Sequence, residues 1–152
     1  MASLHITATI DPRVNLAAQQ NAVPVVTDIE VRNDGEDVQR DLEVQIRMDP
    51  PLGSWDVRID ALEPGDTHPL RAVDLKLSTT ALREQTERVK GTLTVRVVRG
   101  EEVLAQQIES VEVLAANEWP GVDRVPELLA AFVSPSAPSV AALLPAVAVK
   151  LG

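Results

Sequence analysis

Cysteine is absent from this 152-residue chain, which excludes a disulfide, a thiol nucleophile and a thiolate metal site. Aromatic residues are almost absent too: Trp55, Trp119 and Phe132 stand alone, with no Tyr. So few rings leave no stacking platform for bases and no ring-lined face for a sugar. The core must be built from Val, Leu, Ile and Ala. Positive charge is short as well, with 14 basic residues against 23 acidic and a net charge of −9. Such a field repels phosphate backbones and anionic lipid surfaces. Nucleic acid, membrane and carbohydrate are therefore set aside as direct partners. No apolar run reaches the roughly 20 residues of a membrane span. Met1 to His5 offers no basic segment leading into a long apolar one, so it does not read as a signal peptide, and a cytoplasmic location is expected. The phosphate-cradling G-x-x-x-x-G-K-[ST], the G-x-S-x-G elbow and any H-x-x-x-H spacing are all missing.

What the chain does have is alternation. In residues 41–48, Leu42, Val44, Ile46 and Met48 interleave with Asp41, Glu43, Gln45 and Arg47. After Pro50-Pro51-Leu52-Gly53, Trp55, Val57 and Ile59 interleave with Asp56, Arg58 and Asp60. A period of two puts one face of a strand in the core and the other in water. Residues 4–10, 25–31, 73–77, 92–97 and 103–114 carry the same pattern, with a phase shift near Glu109-Ser110 that predicts a bulge there. Turn signals punctuate the strands: Asn33-Asp34-Gly35, Leu62-Glu63-Pro64-Gly65-Asp66 with the residues of a type II turn, and Arg99-Gly100-Glu101-Glu102. Residues 14–18 read as a short continuation of the first strand, followed by a polar link at Gln19-Gln20-Asn21. Residues 79–88 are good helix formers and predict a short helix crossing between sheets.

Short strands at this spacing predict an all-β fold, an antiparallel immunoglobulin-like β-sandwich of seven to eight strands with a short crossover helix and a C-terminal helical tail. The sandwich is assigned to residues 1–116, which hold 20 acidic and 12 basic residues. Residues 117–152 form a partly helical apolar tail or linker. Pro126 to Val133 reads as a short helix with Pro at its first position. Val140, Leu143, Leu144, Val147 and Leu151 share one helical face, interrupted at Pro145. The opposite face is also apolar, so the tail is expected to dock on a neighbouring surface. The interaction residues assigned from sequence are Trp119, Leu128, Leu129, Phe132, Val140, Leu143, Leu144 and Val147, with self-association through the tail as one outcome.

The interleaved strands and Leu62-x-Pro64-Gly65 before a strand resemble immunoglobulin-like or fibronectin-like modules over about the first three-quarters of the chain. Asn117-Glu118-Trp119 followed by Pro126-Glu127-Leu128-Leu129-Ala130-Ala131-Phe132-Val133 is similar to a segment near the start of some large bacterial proteins that carry a superfamily-one helicase core downstream. Gln20-Asn21 with Pro24-Val25 also matches their N-terminal module, whereas Pro120 stands where that family usually has Gly. The resemblance implies an accessory domain of a larger helicase-like protein and carries no helicase chemistry with it.

Residues able to do chemistry are few. His5 and His68 are the only imidazoles, and Asn33-Asp34-Gly35-Glu36-Asp37 concentrates oxygen atoms without the register of a calcium loop. No catalytic residue, cofactor or metal site is assigned. The expected function is a non-catalytic module for protein–protein or interdomain contacts, made with a protein partner or with a downstream domain. The rival is a small hydrolase-like or metal-binding enzyme using carboxylates and His of loops 33–37 and 63–68. Trp55 is expected between the sheets, surrounded by Leu42, Val44, Ile46, Leu93, Val95 and Val97.

Overall fold

The computed structural model describes residues 3–118. Two sheets face each other. The smaller has three strands in the order β1 (Leu4–Ile10), β3 (Val26–Asn33), β6 (Thr67–Leu70). The larger has six, in the order β2 (Arg13–Val14), β9 (Glu102–Val113), β8 (Val89–Arg99), β4 (Gln39–Asp49), β5 (Gly53–Leu62), β7 (Lys76–Leu77). Every pairing is antiparallel except β2 with β9. This is the expected immunoglobulin-like sandwich, with β5 placed beside β4 in the larger sheet and two of the nine strands only two residues long.

The alternation does what a period of two requires. Leu42, Val44 and Ile46 of β4 and Leu93, Val95 and Val97 of β8 are fully buried. They meet Ile6, Ile29 and Val31 of the smaller sheet in one core. Their odd or even neighbours carry the charges outward. The 63–66 turn is type II, as its residues require: Gly65 has φ 79° and Asp66 N–H donates to the Glu63 carbonyl at 3.1 Å.

The structure corrects several expectations. Residues 73–77 give only the two-residue β7, and β6 is a strand that the sequence hid behind Pro69. Asn33 N–H donates to the Asp66 carbonyl, and the ladder then pairs Val31 with His68 and Ile29 with Leu70. Pro69 therefore falls on the alternate position, with its missing N–H turned to the open side of an edge strand, where Pro is tolerated. The chain changes sheets in the extended segment 71–75. The helix α2 (Thr79–Glu84), capped by Ser78 accepting from Ala81 N–H at 3.2 Å, connects two strands of the larger sheet. Residues 13–20 form β2 and a helix α1 (Leu16–Gln20), which begins where the buried Asn15 side chain accepts from Ala18 N–H at 2.8 Å. The bulge lies opposite Val97/Val98, where Leu104 is the unpaired residue, and pairing runs unbroken through Glu109 and Ser110. The phase shift read near Glu109 is Ile108 standing 55% exposed on the outer face.

Candidate functional site

All eight interaction residues assigned from sequence, Trp119, Leu128, Leu129, Phe132, Val140, Leu143, Leu144 and Val147, lie outside the described residues. So do the tail helix and its docking.

The loops of the rival enzymatic reading do come together, around Asn33. This side chain is completely buried. Its amide donates to the carbonyls of Asp37 at 2.8 Å and Leu62 at 3.0 Å, and its oxygen accepts from Gly35 N–H at 3.0 Å. Its backbone carbonyl accepts from Gly65 N–H at 2.7 Å. Asn33 thus locks loop 33–37 onto turn 62–66, and its polar atoms are spent on backbone. A Cβ at Gly35 would run into Ser3 Oγ, so only Gly allows this close passage. Asp34 is exposed and paired with Arg32 at 2.6 Å. His5 pairs with Arg32 on the outer face of the smaller sheet, whereas His68 pairs with Val31 on its inner face. The two imidazoles therefore point to opposite sides of one sheet. No group of three or more metal-capable side chains occurs among the described residues.

The sheet edges differ from one another, and that difference defines the site. Edges carry unpaired N–H and C=O groups that template pairing with another strand. On β1, the Gln107 side chain from β9 takes the place of a neighbouring strand. Its Oε1 accepts from Ala8 N–H at 2.8 Å and its Nε2 donates to the Ala8 carbonyl at 3.1 Å. On β9, the parallel β2 covers the far end, with Glu112 N–H donating to the Pro12 carbonyl and Leu114 N–H to the Val14 carbonyl. β6 is four residues long and has lost a donor at Pro69.

β9 from Val103 to Val111 and β5 beyond Ser54 both lack a neighbouring strand on one side among the described residues, and β5 is the one whose edge carries charges of both signs. β7 covers it at Gly53 and Ser54. Beyond them, Trp55 to Ala61 have no neighbour on that side among the described residues. Leu52 carbonyl accepts from Ser78 N–H, which fixes the alternation: even-numbered residues turn their backbone groups away from β4. Asp56, Arg58 and Asp60 therefore offer three N–H and three C=O groups. The Leu62 carbonyl is taken by Asn33, which closes the stretch. Trp55 and Val57 sit on the inner face, half-buried against the core. Trp55 thus has the inward parity expected but not the full burial, because the edge strand is only partly roofed by the smaller sheet. Asp56 is held by both guanidinium nitrogens of Arg47, at 2.5 and 3.1 Å. Among the described residues, no side chain pairs with Arg58 or Asp60.

At the other end of the larger sheet, Arg88 is gripped by Glu118 and by Glu112 at 3.4 Å. The Arg88 hydrogen bond holds the Glu118 carboxyl below its ordinary value, and a hydrogen bond from Ala115 N–H adds to this. This latch ties the end of the described chain to the start of β8.

No protein-family profile matches the chain, and no curated protein does. Among solved structures it is similar to a β-glucuronidase from glycoside hydrolase family 2, at 8% identity and a TM-score of 0.44. The likeness covers 78% of this chain and 11% of that one, so the chain spans about a tenth of that enzyme's length. Nothing about activity passes across a likeness at this level. The resemblance of residues 117–133 to helicase-associated modules finds no support in these comparisons. No helix among the described residues is long and apolar enough to cross a membrane.

Proposed function

We propose that this chain is a non-catalytic β-sandwich module that engages other polypeptide through the open edge of β5. The observation that carries this reading is the edge of β5, where Asp56, Arg58 and Asp60 turn their backbone groups away from β4 and the side chains of Arg58 and Asp60 have no partner among the described residues. Main-chain bonds to such an edge supply affinity, and side chains at alternate positions supply choice of partner. Trp55 and Val57 add half-covered apolar surface beside it. The finer form of the reading, an accessory domain of a larger helicase-like protein, rests on the sequence resemblance of residues 20–25 and 117–133.

The test is selection of extended peptides from a displayed random library on the full chain, followed by Arg58→Pro. Proline at position 58 removes an N–H that faces away from β4, so the β4–β5 ladder is preserved while the edge loses a donor. Peptides should be recovered and should lose binding to Arg58→Pro. Binding indifferent to Arg58→Pro would sink the edge, and turnover of a hydrolase substrate panel that fails on Asp34→Ala or His68→Ala would sink the non-catalytic reading.

A further inference from the structure

The charges on the open edge select its occupant. A strand pairing with β5 must keep inner residues beside inner ones, since a one-residue slip turns a polar face toward the core. For a second copy meeting β5 antiparallel about a two-fold axis, only alternate registers satisfy this. If Arg58 faces Arg58 of the second copy, Asp56 also faces Asp60, and every pair of charges is alike. If Asp60 faces Asp60, two carboxylates again collide. Like charges directly opposite are destabilising in a sheet. If Asp56 faces Arg58, Asp60 lands opposite Ser54, where β7 already lies. One register escapes all three problems. It sets Arg58 of each copy against Asp60 of the other, with Ile59 against Ile59 at the axis. The strand end at Leu62 then lies opposite Asp56, short of β7.

The surroundings of these residues favour this pairing. Arg40 pairs with Ala61 and Leu42 with Ile59, so Asp41 lies opposite Asp60 within one copy. Two neighbouring carboxylates therefore stand there with no cation bound to either among the described residues. Asp41 also has φ 52°, a left-handed conformation rarely seen in a strand. An incoming guanidinium meets this pair, and Arg58 from a second copy delivers one on each side of the axis.

We propose that the chain forms a closed pair with a second copy of itself through β5, in the register Arg58–Asp60 and Asp60–Arg58. This rests on the reading of β5 as an interaction edge and names its occupant. The same charges also discourage indiscriminate partners, because an acidic or purely apolar strand leaves Arg58 or Asp60 unpaired against it.

The experiment is light scattering on the full chain over a range of concentrations, with amide hydrogen exchange at Arg58 and Asp60. Wild type should rise to twice the monomer mass, with those amides becoming protected as concentration rises. Arg58→Glu makes the edge wholly acidic, and Asp60→Arg makes it wholly basic at the paired positions. Each alone should stay monomeric while keeping its circular dichroism. An equal mixture of the two should recover the pair, and so should the double variant R58E/D60R. Self-association that persists in both single variants would overturn the proposal and locate the contact elsewhere. Amide protection independent of concentration would overturn it by showing the edge covered by the chain's own residues. A strictly monomeric wild type that still binds selected peptides at β5 would overturn the second copy as occupant and leave the interaction edge standing. A monomer that binds none would remove both.

Discussion

The two flanks of the sandwich solve the same problem in opposite ways. On the flank of β1 and β9, the Gln107 side chain satisfies Ala8 and a two-residue parallel strand satisfies Glu112 and Leu114. On the flank of β5, seven residues run without a neighbour among the described residues, and Trp55 and Val57 stay half-exposed. The closed flank is what a solitary module needs. The open one is what an associating module keeps. Burial follows strand position: Leu93 of the central strand β8 has no exposed surface, while Trp55 of the edge strand β5, on the same inner face, does.

The sharpest test of this contrast compares those two side chains. Leu93→Ala should cost about 2–5 kcal/mol, the usual range for a buried Leu with a partly collapsed cavity. Trp55→Ala, although it removes more atoms, should fall below the ~3–5 kcal/mol of a fully buried Trp. Denaturant titration of both variants decides the order. Equal or larger loss at Trp55 would mean that the edge is roofed after all.

Next comes the junction that both flanks share. Asn33→Leu leaves two carbonyls and the Gly35 N–H without their partner in a site sealed from water. A loss of about 2–3 kcal/mol is expected, given ~1–3 kcal/mol for each buried group left unsatisfied and some relaxation of the loop. A variant within experimental error of wild type would show that loops 33–37 and 62–66 hold together without it.

Smaller is the effect of opening the closed flank. Gln107→Ala should cost about 1 kcal/mol, the net value of ordinary hydrogen bonds. Its diagnostic readout is local: exchange of the Ala8 amide should accelerate while amides at the β3–β6 pairing do not. Gln107→Glu keeps an acceptor for Ala8 N–H but loses the donor to its carbonyl, so it should fall between wild type and alanine.

The smallest effect concerns the latch at Glu118. Its carboxyl is held below the ordinary value, chiefly by the hydrogen bond from Arg88. The contribution is therefore present at and above the ordinary carboxylate value, and is lost as pH falls through the lowered one. An acid titration of stability should show a shallow extra decline below about pH 4.5. It should disappear in Glu118→Gln. Arg88 is exposed and Glu118 partly so, which leaves the pair screened and its share of stability small.

Much of the fold was legible because it is local. The parity of residues 41–59, the 63–66 turn and the helix from Thr79 follow from neighbours a few positions apart. The misses are non-local. Pro69 reads as a break until one knows that β6 is the edge strand of its sheet among the described residues. Asn33 reads as a turn residue, yet its buried amide reaches Leu62, across the sandwich. Ile108 simulates a change of phase when it is an exposed residue on a stretch whose pairing is unbroken, the bulge lying at Leu104. The candidate site was least legible of all. Arg58 and Asp60 look like any outward charges, and only the order of strands reveals that no strand lies beside them among the described residues.

Gln107 has a consequence for stoichiometry. A pairing confined to one edge has a valence of one: it joins a like subunit and the assembly stops at two. A second free edge, at β1, would raise the valence to two, and copies could then be strung edge to edge into chains of unlimited length. At Ala8 a single amide, turned inward, already takes the backbone N–H and carbonyl that a further strand would need there.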